Sequence, residues 1–81
     1  MTTTDYQPIS CDLHSQYELL AMRRARVLLD ANTPQGATRG LVCRVLDVLT
    51  RAGAEYLVVE TAAGERLQIR LDQLLAVQPA G

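Results

Sequence analysis

The chain has 81 residues, a formal net charge of −1 and only three aromatic residues, all of them tyrosines. A chain of this length folds as one domain around one small core, which leaves little room for a buried catalytic cavity. The near-neutral charge gives no basic footprint for nucleic-acid phosphates, and the scarcity of aromatic rings argues against a platform that stacks bases.

The cysteines and the histidine do not form a metal-binding or catalytic pattern. Cys11, Cys43 and His14 lack the spacing of a zinc site. His14 with either cysteine is the one pairing that offers a base and a nucleophile, and both thiols are better explained by packing. We therefore expect no metal, no cofactor and no catalysis. No signal peptide and no apolar run of the roughly 20 residues that span a bilayer are visible, which predicts a cytoplasmic protein.

The N-terminal residues divide into two parts. Residues 1–4 are polar and are expected to form a mobile tail. Residues 5–12, with the sequence DYQPISCD, include the apolar Tyr6 and Ile9, and their proline favours an extended backbone. We interpret this second part as a strap that packs at the edge of a sheet.

A short helix is predicted next. Ser15 and Glu18 fit a capping box, in which the serine hydroxyl accepts from the amide three residues on and the glutamate reaches back to the serine amide. Asp12 is a rival N-cap if the helix begins one turn earlier. The helix then runs to Arg23 and Arg24, whose charges suit its C-terminal end. About ten residues are too few for a helix that is stable alone, so it must dock on a sheet.

The charges are unevenly distributed along the chain. Every charged residue in the first 22 positions is acidic, whereas all eight arginines lie from Arg23 onward. A segment of one sign can steer a protein toward a basic partner. A solvated acidic face is an equally simple explanation of the same pattern.

Strands are predicted over the rest of the chain. Residues 25–31 form the first, and residues 32–36, NTPQG, form a turn. Residues 38–50 have no single period. A helix over residues 42–49 competes there, but the β-branched residues and flanking glycines favour a strand that bends mid-course and changes its buried face. Residues 51–54 then turn into the next strand.

The clearest hairpin lies at residues 55–72, EYLVVETAAGERLQIRLD. Its second run alternates, with Leu67, Ile69 and Leu71 on one face, which is typical of a strand that covers a core on one side. Its first run is apolar at consecutive positions, which indicates a central strand. Gly64 supplies the positive φ that a tight turn needs.

The last segment has two interpretations. Residues 71–75 form either one helical turn or the beginning of a final strand that Pro79 ends. In both cases one helix precedes five short antiparallel strands, and closure into a barrel would hide the strand edges. We therefore predict a mainly β (α+β) fold of the Sm-like small-barrel type, with a single domain at residues 5–78 and a tail at residues 79–81.

Two separated motifs carry a family resemblance. The stretch DYQPISCD at residues 5–12 and the block EYLVVE at residues 55–60, with Glu18 and residues 70–72 in register, resemble the Rof (YaeO) family, the Rho-binding antiterminators of bacteria. The similarity runs over nearly the whole chain. It implies an Sm-like barrel with an N-terminal helix and an activity without catalysis. Members bind the termination factor Rho and keep nascent RNA from the primary RNA site on its N-terminal domain.

The resemblance also implies where the partner is contacted. An inhibitor of this kind needs an acidic, hydrogen-bonding surface that competes with phosphates for arginines and lysines, and in the family it lies around the start of the helix. The corresponding residues here are Asp12, His14, Ser15, Gln16 and Glu18, with Arg51 and Gly53 in the loop before the hairpin. Asp12 keeps its acid. Leu13 and Ser15 stand where other members carry acids, and His14 stands where they carry a tyrosine.

The leading hypothesis is thus a monomeric, non-enzymatic regulator that binds Rho, without direct contact to nucleic acid or membrane. The alternative is an Sm-like RNA-binding module. In that module strand edges join subunits, and the phosphate contacts come from Arg39, Arg44, Arg66 and Arg70. The near-neutral charge and the missing aromatic rings count against it.

Overall fold

The computed structural model describes residues 11–34 and 36–80. Within them a helix precedes the strands of one sheet. The elements are α1 (Cys11–Met22), β1 (Arg26–Thr33), β2 (Gly36–Arg51), β3 (Ala54–Thr61), β4 (Arg66–Arg70), a 3₁₀ turn (Leu71–Gln73) and β5 (Leu74–Pro79). The predicted tail at residues 1–4 and the strap with Tyr6 and Ile9 lie outside the described residues.

The sheet is antiparallel, with the strand order β4-β3-β2-β1-β5. This confirms the predicted α+β class, with one helix ahead of five strands. The expected closure is corrected, because β4 and β5 are the two edges of the sheet and no ladder joins them among the described residues. The physical reason is that β4 is only five residues long and the 3₁₀ turn carries the chain away from it to the free side of β1.

A bidentate ion pair shapes the turn between β4 and β5. The Arg70 side chain donates from Nε to Asp72 Oδ1 at 3.1 Å and from Nη2 to Oδ2 at 2.7 Å. This parallel fork is the strongest geometry for an arginine and a carboxylate. Both interpretations of the last segment hold in part, since one 3₁₀ turn is followed by a strand that reaches Pro79. Pairing extends into the predicted tail, because the Ala80 amide donates to the Arg26 carbonyl at 3.0 Å.

A β-bulge bends β2. The register of β2 with β3 shifts between Val45 and Asp47, so Leu46 is the extra residue. Before the bulge Cys43 and Val45 face the core, and after it Val48 packs on the same core. The predicted strand that bends mid-course and changes its buried face is confirmed, and the helix alternative is wrong. The bulge strengthens the local twist and curls the sheet around its core.

A second irregularity lies beside Asp30 of β1, where β2 and β5 each carry one extra residue and the register shifts against both strands. The Asp30 carboxylate accepts a hydrogen bond from the Gly40 amide at 2.7 Å. Gly40 has a φ of 64°, a left-handed conformation that glycine adopts without a Cβ penalty. The side chain thus satisfies a backbone donor that the interrupted ladder leaves without a strand partner.

The core is aliphatic and lies between the sheet and α1. Its largest fully buried side chains are Val27, Leu29, Val45, Leu57, Val59 and Leu71. The prediction for the hairpin is confirmed at Ile69 and Leu71, which are buried. Leu67, near the free edge of β4, remains 36% exposed. Cys43 is buried in the same core, as the packing interpretation of this thiol requires, and burial raises the pKa of its thiol.

The helix begins one turn earlier than its predicted capping box. Cys11 is its first residue, so Ser15 lies inside the helix and the predicted N-cap at Ser15 is wrong. Asp12 occupies the first turn, where the helix dipole stabilises a carboxylate. The helix packs on the core through Tyr17, Leu20 and Ala21. Burial against the core raises the pKa of the Tyr17 phenol.

The arginines predicted for the last helical turn follow the helix instead. The Arg24 amide donates to the Ala21 carbonyl at 3.1 Å, and the Ala25 amide donates to the Leu20 carbonyl at 2.9 Å. Arg24 has a φ of 52°. These two bonds around a left-handed residue form a Schellman motif, which turns the chain into β1.

Candidate partner-binding surface

The first two turns of α1 present polar side chains to solvent. We call this set the helix surface. Its members are Asp12, Ser15, Gln16 and Glu18, and all four are exposed. They point away from the flank that packs on the core through Tyr17 and Ala21. Their carboxylate, hydroxyl and amide oxygens are therefore available to hydrogen-bond donors of another molecule.

His14 lies on the flank of α1 that meets the sheet and is only partly exposed. Its Nε2 is 2.8 Å from Oε2 of Glu55 on β3. Its Nδ1 is 3.5 Å from Oε1 of Glu18, one turn along the helix. One imidazole thus lies between a carboxylate of the helix and a carboxylate of the sheet. The Glu18 side chain extends toward His14, in place of the predicted contact with the Ser15 amide.

The turn between β2 and β3 holds the other two predicted residues. Arg51 pairs with Ala54 across a two-residue loop, and both loop residues, Ala52 and Gly53, have positive φ (52° and 79°). This is the geometry of a type I′ turn, which suits the twist of the flanking strands. Arg51 and Gly53 are exposed. The Arg51 guanidinium carbon lies 4.9 Å from the ring centroid of Tyr56, a cation–π contact that positions it over β3.

The contact between His14 and Glu55 brings these two groups of residues together. Glu55 pairs with Thr50 in the ladder, one position away from the Arg51–Ala54 pair that closes the turn. Because His14 reaches Glu55, the start of α1 lies beside the β2–β3 turn. His14 therefore links the helix residues to the strand that leaves the turn. Arg51 pairs with Ala54 and contacts Tyr56, which strand alternation places on the face of β3 opposite Glu55.

Glu55 is a site residue that sequence reasoning missed. It opens the block EYLVVE, which predicts the hairpin and carries the family resemblance but does not by itself place Glu55 in the partner surface. On β3 it shares the parity of Leu57 and Val59, both fully buried on the core face. The sequence did contain a signal: Glu55 is a carboxylate on the core-facing side of β3, where apolar residues are expected. A carboxylate in that position needs a hydrogen-bonding or charged partner. That partner is an imidazole that arrives from α1.

Metal and membrane chemistry find no support in the described part of the chain. In residues 11–34 and 36–80 no three His, Cys, Asp or Glu side chains are placed to hold a metal ion together. None of the described helices is long and apolar enough to cross a membrane. What the helix surface and the turn can do chemically is accept and donate hydrogen bonds and pair with cations.

Comparison with known proteins relates this chain to transcription. Residues 8–81 match the family described as modulator of Rho-dependent transcription termination (ROF). The chain is 36% identical over 69 residues to the protein named Protein rof of Escherichia coli (strain K12), a match that covers 85% of this chain and 76% of the relative. Protein rof of Shigella flexneri matches with the same identity and coverage. The chain therefore belongs to the ROF family of modulators of Rho-dependent transcription termination.

Proposed function

We propose that this protein is a non-enzymatic antiterminator that binds the N-terminal RNA-binding domain of Rho and keeps RNA from its primary binding site. It acts as a single copy, and its contact surface is the helix surface together with the β2–β3 turn. The observation that carries this proposal is the exposed, oxygen-rich start of α1 held beside that turn. Membership of a family of modulators of Rho-dependent termination supports the choice of partner.

The chemistry of the surface suits a competitor of RNA. A protein site that holds RNA phosphates presents arginine and lysine side chains, and carboxylates form charge-assisted hydrogen bonds with the same groups. Asp12 and Glu18 place two carboxylates on the exposed helix surface, and Glu55, in contact with His14, adds a third at the sheet. Ser15 and Gln16 add neutral donors and acceptors between them. Occupation of the cationic groups by these side chains would exclude phosphates from them.

Preorganisation strengthens this interpretation. A partner that binds both α1 and the β2–β3 turn must find them in a fixed relative position, and each group that is ordered only on binding costs free energy. The His14–Glu55 contact joins α1 to the strand after the turn, and the cation–π contact orders Arg51 within the hairpin before binding. The surface is therefore presented by structured elements and needs little reorganisation.

The proposal is tested by competition. A fluorescent C-rich RNA is bound to Rho, and its apparent Kd is measured as this protein is titrated. We expect RNA affinity and RNA-stimulated ATP hydrolysis to fall together. Unchanged RNA affinity at saturating protein contradicts the proposal. A gel shift with RNA and this protein alone separates it from direct RNA binding, in which the protein itself would retard the RNA.

The contact surface is tested by matched charge reversals. Asp12→Arg replaces an exposed acid of the helix surface, and Glu65→Arg makes the same charge change in the exposed turn between β3 and β4. We expect the first to weaken competition roughly tenfold and the second to leave it unchanged, because close charge pairs at an interface contribute on the order of 1–2 kcal/mol. Thermal melts control for the about 0.3–1 kcal/mol that a first-turn acid contributes to a helix.

A further inference from the structure

A second surface lies on the face of the sheet that points away from the core, at the β2 bulge. On this face Asp47 pairs with Val58 of β3, and Val58 pairs with Gln68 of β4. A cleft of about 420 Å³ runs across the three strands here. We call it the bulge groove. Its floor is formed by Leu46, Leu49 and Val58, and its walls by Arg24 and Arg66, with Asp47 and Gln68 completing the lining.

The floor exists because of the bulge. The extra residue Leu46 and the parity change after it place Leu46 and Leu49 beside Val58, outside the buried cluster of the core. All three side chains are partly exposed. An adjoining cleft shares Arg24 and Leu46 and extends to Met22, whose side chain is 79% exposed at the end of α1. Methionine adapts its shape to apolar partners, so the aliphatic surface continues beyond the floor.

The walls are cationic and partly fixed. Arg24 is held in the Schellman motif after α1, and its carbonyl accepts from Arg44 Nη1 at 2.8 Å. Arg66 approaches Glu60 only at 3.8 Å and is largely exposed. Arg26 stands directly opposite Arg44 in the β1–β2 ladder. Like charges in this position destabilise a sheet, and a bound anion would relieve their repulsion.

The acids near the groove offset only part of the charge of these arginines. Asp47 lines the groove and keeps its negative charge, although its carboxylate accepts a hydrogen bond from the Val48 amide at 2.8 Å. Glu60 lies in the cross-strand row between Arg44 and Arg66 and faces two arginines at once. The surroundings of the groove thus retain an excess of guanidinium groups, which bind carboxylates through two parallel hydrogen bonds.

We propose that the bulge groove binds an acidic amphipathic segment of a partner protein, with apolar side chains on the floor and carboxylates at the two arginine walls. RNA fits less well, because single-stranded nucleic acid is held by rings that stack on bases. Of the tyrosines that the structure describes, Tyr17 packs on the core and Tyr56 lies beneath Arg51. The bulge groove itself contains no residue of the helix surface, although the adjoining cleft reaches Glu18.

Synthetic probes test the proposal. The first is a 15-residue amphipathic peptide with leucines on one helical face and glutamates on the other, the second replaces every glutamate by glutamine, and the third is a 15-nucleotide oligouridine. Binding is followed by the amide resonances of Leu46, Leu49 and Val58. We expect the acidic peptide to shift them, with affinity about tenfold higher than that of the glutamine peptide and lower in high salt. Equal affinity for the two peptides, or a response to oligouridine alone, overturns the proposal.

Variants of the walls complete the test. Arg66→Glu reverses one wall, and Arg24→Asn removes the other with a residue that tolerates the left-handed conformation. The double variant should bind the acidic peptide about tenfold more weakly, because it removes both guanidinium partners of the peptide carboxylates. Arg39→Glu, an exposed arginine outside the groove, is the matched control and should bind like the native chain. If the double variant is folded by circular dichroism and still binds the peptide with native affinity, the proposal is refuted. Competition with RNA for Rho should be unchanged in the groove variants and in the control.

Discussion

His14 Nε2 and Glu55 Oε2 are 2.8 Å apart, and this contact joins the start of α1 to the strand that leaves the β2–β3 turn. Both side chains are more than two-thirds buried, at 27% and 29% exposure, so solvent screens the contact only in part. If it positions the candidate surface, its loss should affect binding to Rho more than it affects folding.

A double-mutant cycle separates these two effects. His14→Ala and Glu55→Ala are each expected to reduce the free energy of unfolding by roughly 0.5–1 kcal/mol, with the double variant little worse than either single one. Their effects on competition with RNA for Rho should show the same coupling. His14→Tyr keeps a ring and an O–H donor toward Glu55 and should retain affinity. Additive losses in the cycle would show that the two side chains act independently.

The sequence predicted the parts of this site that depend on interactions between residues close together in the chain. The helix, the strands and the turn at Arg51 and Gly53 follow from local patterns of polarity and glycine. The start of α1 did not, because a plausible capping box at Ser15 competed with a start one turn earlier. Local hydrogen-bonding patterns of serine and glutamate allow both, and docking on the sheet decides between them.

The contacts that assemble the surface could not be predicted, because they join residues far apart in the chain. Nothing local to His14 indicates that Glu55 will stand beside it. The open edge between β4 and β5 is likewise a consequence of where the 3₁₀ turn directs β5. The bulge in β2 was predicted, since its change of buried parity is written into the residues on either side of Leu46.

The hydrogen bond between Asp30 and Gly40 predicts a large effect of a small change. Asp30→Ala removes the acceptor of the Gly40 amide at the point where the register of β1 with its two neighbours shifts. We expect a loss of about 1.5–3 kcal/mol in the free energy of unfolding, the range for hydrogen bonds to charged groups, measured by urea titration. Asp30→Asn keeps a side-chain carbonyl oxygen at the same place and should lose less than half as much. Equal losses would mean that the charge of Asp30, and not its acceptor geometry, stabilises this part of the sheet.

The left-handed conformation of Arg24 predicts that replacing it by glycine will stabilise the fold. Its φ of 52° places a residue with a Cβ in the conformation that glycine usually supplies after a helix. Arg24→Gly should raise the free energy of unfolding by about 0.5–1 kcal/mol, because the left-handed conformation costs an L-residue about 1–2 kcal/mol and the greater freedom of unfolded glycine offsets part of the gain. Arg23→Gly, one residue earlier, is the matched control and should destabilise. A lower midpoint for Arg24→Gly in urea would show that the Arg24 side chain contributes more than its strain.

The burial of the Cys43 thiol and the Tyr17 phenol predicts that the protein loses stability at alkaline pH. Burial raises the pKa of both groups in the folded state, so the unfolded chain releases these protons first as pH increases. The contribution of these two groups to the free energy of unfolding is therefore fully present below the ordinary pKa of a thiol, about 8.5. It declines as the pH rises through their higher pKa values in the folded state. Urea unfolding followed by circular dichroism at pH 7.5 and pH 10 measures the decline. Cys43→Ala should be less stable at pH 7.5 but lose less on going to pH 10, and Tyr17→Phe should reduce the remaining loss at the upper end of the range. A decline as steep in Cys43→Ala as in the native chain would show that the buried thiol does not control this transition.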